Sequence, residues 1–376
     1  MMKTLFFPIF ILTVLQVFNY VFARALIWQF ALHHTKIRRI VIIGIFLLSN
    51  GLILFTFTRI VPSMFRISAN WLVLLLFTLF TTIIVSSLSF ALRRFRQPEH
   101  HQRHLRLFAP LLLIGIYALA LYNAYTPIVR YQTIHINKYL DKPIRIGLAS
   151  DTHLGALFGN KQIDDLVAIM QREQVDMIFL PGDIMDDNTQ AYEAQNMGEH
   201  LRHLRAPLGV YATIGNHDVG YSGQPQNEII TQTLEQAGIT VLTNRAVQVN
   251  QQFWVVGLPD QLMREGRQTA AQVLQQTDTS QPIFLLDHRP DNVIQHAQLP
   301  IDLQVSGHVH NGQVFPANLI VRFLNRIHYG YEQINHSHFV VTSGYGFWGV
   351  PFRLGSQSEV WIIDVVPSKS NVSGSL

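Results

Sequence analysis

The sequence contains no cysteine, which excludes disulfides, zinc ribbons and cysteine nucleophiles. Acidic residues are nearly missing from its first third: residues 1–130 hold 13 Lys and Arg against one acid, Glu99. The remainder has 15 basic and 23 acidic residues, a balance of −8. The overall net charge of +4 therefore combines a strongly basic stretch with an acidic one. A basic protein raises the question of nucleic acid, but the acidic part is the one that carries candidate chemistry. No nucleic-acid partner is expected, and nothing in the chain specifies a protein partner. Internal repeats are also lacking.

What the first third has instead is apolar length. Four stretches, 5–22, 40–58, 71–92 and 107–125, contain no charge, and each approaches the ~20 residues a helix needs to cross a bilayer. The connectors between them are basic. Residues 1–126 read as a four-helix transmembrane anchor. Ala23-Arg24-Ala25 has the form of a signal-peptide cleavage site, but the n-region offers only Lys3 and three more spans follow. Charged residues inside a membrane mark ion or proton paths, and here Gln16, Asn50 and Asn123 are the most polar groups in the spans. Connectors 23–39 and 93–106 carry nine basic residues, against five (Lys3, Arg59, Arg66, Arg130, Lys138) on the opposite side. Extending the count to Lys142 and Arg145 narrows this to nine against seven. The imbalance leans toward both termini, and the catalytic part, lying outside the cytoplasm.

Residues 127–376 read as one catalytic domain. Thr126-Pro127 stops the last helix, because proline cannot continue it. The alternating run 131–137 predicts an edge strand. A strand–helix rhythm follows, with an amphipathic helix over 161–172, strands at 177 and 210, and helices near 191–204 and 227–236. Between 240 and 258 the pattern changes to paired strands, with Asn244-Arg245 as the turn. A helix near 269–276 returns the chain to the sheet, and 338–342 and 359–365 are again β. The Ser-rich end, 368–376, is expected to fray.

Five apolar runs end in metal-ligand chemistry. Residues 146–148 lead to Asp151-Thr152-His153, 177–180 to Gly182-Asp183, and 210–214 to Gly215-Asn216-His217-Asp218. Residues 283–286 lead to Asp287-His288, and 303–305 to Gly307-His308-Val309-His310. Each motif alone is commonplace. Short apolar runs bounded by Gly or Pro are buried strands, and open α/β sheets place their sites beyond the carboxyl ends of strands. Asp151, His153, Asp183, Asn216, His288, His308 and His310 then converge. Carboxylate, amide and imidazole donors without thiolate suit Mn, Fe or Zn. Seven ligands exceed one tetrahedral ion and suit two divalent metal ions, which can clamp the attacking and leaving oxygens of a displacement at phosphorus.

This ordered set resembles the calcineurin-like metallophosphoesterase superfamily, over about 144–365. The resemblance implies an α/β fold, a four-layer α/β/β/α sandwich with a di-metal centre. It implies that Asp151, His153 and His310 hold one ion, that Asn216, His288 and His308 hold the other, and that Asp183 bridges them. His217 would face the scissile phosphate and protonate the leaving oxygen, with Asp218 orienting it. A narrower likeness is to a membrane-attached bacterial branch, whose last motif usually continues Gly-Gly-Gln, then a Gly-rich segment with Pro-x-Arg and Pro-Glu. This chain has Asn311-Gly312-Gln313, Gly344 to Arg353, and Ser358-Glu359. Arg353 is the candidate phosphate or headgroup contact, with a structural pairing to Glu359 as its alternative. Similar branches cleave the pyrophosphate of UDP-diacylglucosamine in lipid A biosynthesis, which implies a phosphorylated, amphiphilic substrate at a bacterial cell membrane. A catalytically silent membrane scaffold on the same fold is the rival reading.

Overall fold

The computed structural model describes residues 2–58, 64–94, 98–220, 226–263 and 266–367. Arg59, Arg96, and the 368–376 tail expected to fray lie outside the described residues. The chain forms two compact units, Met1–Ala120 and Leu121–Leu376.

The first unit is helical. Helices α1 (Met2–Gln29), α2 (Thr35–Phe57), α3 (Met64–Leu92) and α4 (Pro98–Tyr125) are each long and apolar enough to cross a membrane. They exceed the uncharged stretches read from sequence, because Ala, Leu, Arg and Gln continue a helix readily past the apolar boundary. Accordingly α1 runs without a break through Ala23-Arg24-Ala25. The intramembrane amides satisfy each other: Gln16 Nε2 donates to Asn50 Oδ1 at 3.0 Å, and Asn50 Nδ2 returns a bond to Gln16 Oε1 at 3.1 Å. Phe22 meets Trp71 edge-on with ring centres 5.5 Å apart. A cavity of about 1000 Å³ lies between α1, α3 and α4, with Arg24, Arg93 and Arg106 in its lining.

The second unit is built on two six-stranded sheets. The first sheet has strands β1 (Ile128–Ile136), β2 (Ile144–Leu148), β3 (Met177–Pro181), β4 (Val210–Thr213) and β5 (Thr240–Val241). The second has β6 (Arg245–Val249), β7 (Phe253–Leu258), β8 (Ile283–Asp287), β9 (Leu303–Ser306), β10 (Gly330–Ile334) and β11 (Ser337–Val341). The last strand, β12 (Glu359–Pro367), returns to the first sheet. The orders are β1-β12-β2-β3-β4-β5 and β10-β11-β9-β8-β7-β6. Successive side chains of a strand point to opposite faces, and β3 shows the consequence. Met177 and Phe179 enter the core between the sheets with Phe284, Leu286, Val305 and Val340. Ile178 and Leu180 enter an outer core with Leu166 and Met170 of the helix Asn160–Arg172. Val256, Leu258, Leu285 and Val273 form a further outer core on the second sheet. The result is helices, sheet, sheet, helices.

Two local expectations differ. The helix expected near 191–204 is two short ones, Gln190–Ala194 and Met197–Leu201, separated at Asn196, whose φ of 52° interrupts the run. Strands β5 and β6 do not pair with each other: β5 joins β4, and the chain changes sheets at Asn244. The hairpin turn falls instead in the three-residue connection 250–252, between β6 and β7, where Asn250 and Gln251 both have positive φ. The expected edge strand is present: β1 lies at the edge of the first sheet and pairs with β12.

Candidate metal centre

The parallel strands β2, β3 and β4 of one sheet and β8 and β9 of the other end beside one another. Cross-connections knit these ends: the His308 amide donates to Asp151 Oδ1 at 2.9 Å, and the Gly307 amide donates to the His288 carbonyl at 2.9 Å. Close approach has a backbone requirement. A Cβ at Gly307 would overlap the Asp151 carboxylate, and one at Gly215 would overlap that of Asp183. Asp151, His153, Asp183, His308 and His310 all adopt left-handed φ, between 45° and 70°. Such conformations are disfavoured by ~1–3 kcal/mol for most residues and cluster where function over-determines the backbone.

The structure brings Asp151, His153 and His310 into one group and Asp183, His288 and His308 into another, with ligand atoms in each within 4.8 Å of one another. Asp183 lies between the groups: its Oδ2 is 3.1 Å from His288 Nε2 and 3.9 Å from His153 Nε2. Asn216, buried, opens the helical turn beside them. His288 tests whether cations fit. Its Nδ1 sits 2.8 Å from the Pro181 carbonyl, which only accepts, so the proton is on Nδ1. The buried Nε2 makes no hydrogen bond and faces the Asp183 carboxylate. Two electron-rich atoms so placed call for positive charge between them. Burial opposes a charge on His288, yet Asp183 beside it carries its pKa up to about 10. Burial holds His153 and His308 down to about 3 and lowers His310 as well, which leaves three neutral imidazoles with lone pairs to offer.

His217 stands at the rim. Its ring centre is 5.0 Å from that of His153 and 5.8 Å from that of Trp348, and its amide donates to Asp183 Oδ1 at 2.8 Å. Its Nδ1 lies 2.5 Å from Asp187 Oδ1. Asp218 does not take the orienting place expected of it. Its buried carboxylate accepts from the amides of Gly215, Ile184 and Met185, at 2.9, 3.0 and 2.9 Å, and ties the two ligand loops together. In a helical turn consecutive side chains diverge by ~100°, so the neighbour in sequence points away and Asp187 supplies the carboxylate. The sequence carried one signal for this: a second pair of acids, Asp186-Asp187, close behind Asp183.

Arg353 is a second correction. It is wholly buried, and its Nη2 donates to the carbonyls of Ser343 and Gly346, both at 2.6 Å, and lies 3.2 Å from His310 Nδ1. It holds the Gly-rich segment against the back of a ligand and cannot reach a substrate. Glu359 is engaged elsewhere, by Arg130 at 3.2 Å and Tyr329 at 2.9 Å. An arginine that the sequence did not single out, Arg289, is gripped by Asp260 at 2.6 Å and reaches His308 Nε2 at 2.9 Å.

Residues 144–312 match the family model described as calcineurin-like phosphoesterase. This part of the chain is a calcineurin-like phosphoesterase domain. The chain is similar, at 29% identity over 269 residues, to an "Uncharacterized metallophosphoesterase" of Helicobacter pylori (strain J99), covering 70% of each. It is also similar, at 30% over 231 residues, to a "Transmembrane protein with metallophosphoesterase domain" of Danio rerio, covering 58% of this chain and 52% of that one. Among solved structures, a 5'-nucleotidase precursor from Thermus thermophilus matches with a TM-score of 0.37 and 13% identity, over 59% of this chain and 55% of that one. Calcineurin-like phosphoesterases use a dinuclear metal centre, and both residue groups fit metal binding. With its four apolar helices, the chain is a membrane-type, metal-dependent phosphoester hydrolase.

Proposed function

We propose that this protein hydrolyses a phosphodiester or pyrophosphate bond in a lipid-linked, amphiphilic substrate. The observation that carries the reading is the meeting of Asp183 with His288 and His153, the centre of a complete ligand set. Asp151, His153 and His310 would hold one ion, and Asn216, His288 and His308 the other, with Asp183 shared. Bound ions would supply Lewis-acid charge at the attacking and leaving oxygens of the displacement. The chain's own acid is His217. Burial opposes its charge, but the hydrogen bond to Asp187 and the neighbouring carboxylates outweigh that and raise its pKa above the usual histidine value. A protonated His217 with Nδ1 committed to Asp187 presents Nε2–H to a leaving oxygen.

The amphiphilic part of the reading rests on tethering. Helix α4 ends at Tyr125 and β1 begins at Ile128, so the hydrolase domain follows its last candidate span almost directly. Metal content of the purified full chain, measured with hydrolysis of bis-p-nitrophenyl phosphate, separates hydrolase from silent scaffold: a metal-loaded chain inert toward every phosphoester would sink the enzymatic reading. A reporter active only outside the cytoplasm, fused after Leu376, tests the outward lean. The opposite pattern places the domain where UDP-linked lipids occur.

A further inference from the structure

The helix Ala317–Leu324 is built inside out. At ~100° per residue, Leu319, Ile320, Phe323 and Leu324 share one broad face, and that face looks outward. They are 54%, 57%, 90% and 72% exposed, and no residue of the helix is buried. The partly buried side, with the small side chains of Ala317, Asn318 and Val321, turns inward, with Asn318 against Gly312 and Gly355. A core-facing helix does the reverse.

Its root belongs to the site. The helix starts seven residues after His310, and the intervening Gln313 clamps the segment that faces His217: its Oε1 accepts from the Trp348 amide at 2.9 Å and its Nε2 donates to the Trp348 carbonyl at 3.0 Å. The Phe315 amide then donates to the Leu354 carbonyl at 2.6 Å. Phe315 and Trp348 are themselves exposed, so apolar surface accompanies the chain from the mouth of the site to the helix. Arg322 lies exposed on the helix flank, and no carboxylate pairs with it among the described residues.

We propose that the helix Ala317–Leu324 lies in the membrane–water interface at the mouth of the metal site, its four apolar side chains among acyl chains and Arg322 level with lipid phosphates. The inference deepens the lipid-substrate reading above and rests on it for its purpose: a lipid-linked phosphoester would reach the site along this face without leaving the bilayer surface. Three features favour a bilayer over another occupant. The same chain supplies candidate membrane spans; the helix combines a wide apolar face with a basic flank, the composition of interfacial helices; and anionic lipid phosphates complement the unpaired arginine.

The test exploits the absence of cysteine. Phe323→Cys in the full chain gives a single thiol for bimane, read in phosphatidylethanolamine/phosphatidylglycerol liposomes, with Gln275→Cys as a water-facing control. Lipids bearing a nitroxide high on the acyl chain should quench the label at 323 at least threefold more than at 275, and aqueous iodide should show the reverse order. Quenching at 323 by iodide alone overturns the proposal, and so does protection from both quenchers, which would mean that protein covers the face. A second arm compares Ile320→Asp/Phe323→Asp with the parent. The ratio of lipid-phosphodiester to bis-p-nitrophenyl phosphate hydrolysis should fall tenfold or more; an unchanged ratio also overturns it. Inertness of the parent toward both substrates would instead strike the hydrolase reading, while the label depth would still decide where the helix lies.

Discussion

His217 Nδ1 and Asp187 Oδ1 lie 2.5 Å apart, although Asp187 is half exposed and belongs to a different strand-end loop. The pair fixes which nitrogen of His217 faces the metal site. Asp187→Ala should lower turnover about 10–100-fold, as loss of an orienting partner does, with both metals retained. In a His217→Ala background the same change should do almost nothing, since residues that act as a unit are not additive. Independent, multiplicative losses would place Asp187 in some other role.

His217→Ala itself should keep its metals while turnover falls roughly 10²–10⁴-fold, the range for general acid–base catalysis. Leaving-group dependence provides the check. Esters of p-nitrophenol need little protonation and should lose far less than alkyl phosphodiesters. Loss of metal from this variant would make His217 a ligand.

Asp183→Asn should be the most damaging change at a single ligand. Its carboxylate sits 3.1 Å from His288 Nε2 and 3.9 Å from His153 Nε2, between the two groups. Elemental analysis should show both ions reduced, against one ion for His153→Asn. Full occupancy with near-normal turnover would remove Asp183 from the shared position.

Arg353→Met should act on stability. The guanidinium satisfies the carbonyls of Ser343 and Gly346 in a fully buried setting, and each buried group left unpaired costs about 1–3 kcal/mol. Thermal unfolding of the metal-loaded chain should shift down by several degrees, with KM changed no more than twofold. A tenfold rise in KM at unchanged melting temperature would restore the phosphate-contact reading.

His338 predicts a pH dependence away from the metal centre. Its Nε2 lies 3.0 Å from the His135 carbonyl and its Nδ1 2.9 Å from the Tyr331 hydroxyl, so the neutral ring is satisfied on both sides. Burial lowers its pKa below the ordinary 6.5. As pH falls through 6.5 the unfolded chain takes up the proton first, so stability present above that pH is progressively lost below it. His338→Gln cannot titrate. The melting-temperature gap between about pH 7.5 and about pH 5.5, either side of the histidine range, should narrow in this variant. An unchanged gap would assign the dependence to other groups.

The candidate ligands are legible because each follows a short apolar strand, with Asp183, Asn216 and His308 directly after a glycine, so that local sequence and proposed site chemistry coincide. Asp187 is not, because a loop acid has no periodicity and its partner lies 30 residues away. The place of Asp218 is not legible either, since adjacency in sequence does not fix side-chain direction. For Arg353 the sequence shows the charge but not the wrapping of residues 343–346 around it. The outward apolar face at 317–324 has an ordinary helical pattern; only burial distinguishes which side faces the core. Strand order was the least accessible, being set by pairings far apart in the chain.

One of those pairings constrains how the protein is made. Strand β12 lies between β1 and β2 and is in register with β1 along its whole length, from Ile128 with Glu359 to Ile136 with Pro367. The ribosome therefore delivers the first strand of the domain about 230 residues before its sheet neighbour among the described residues, and at ~5–20 residues per second that edge waits on the order of ten seconds or longer unpaired. A chain that stops between residues 311 and 358 keeps every candidate metal ligand and has no way to close the first sheet. Premature termination or C-terminal trimming before that point should yield a protein cleared as misfolded, while loss of residues beyond Pro367 leaves the pairing intact.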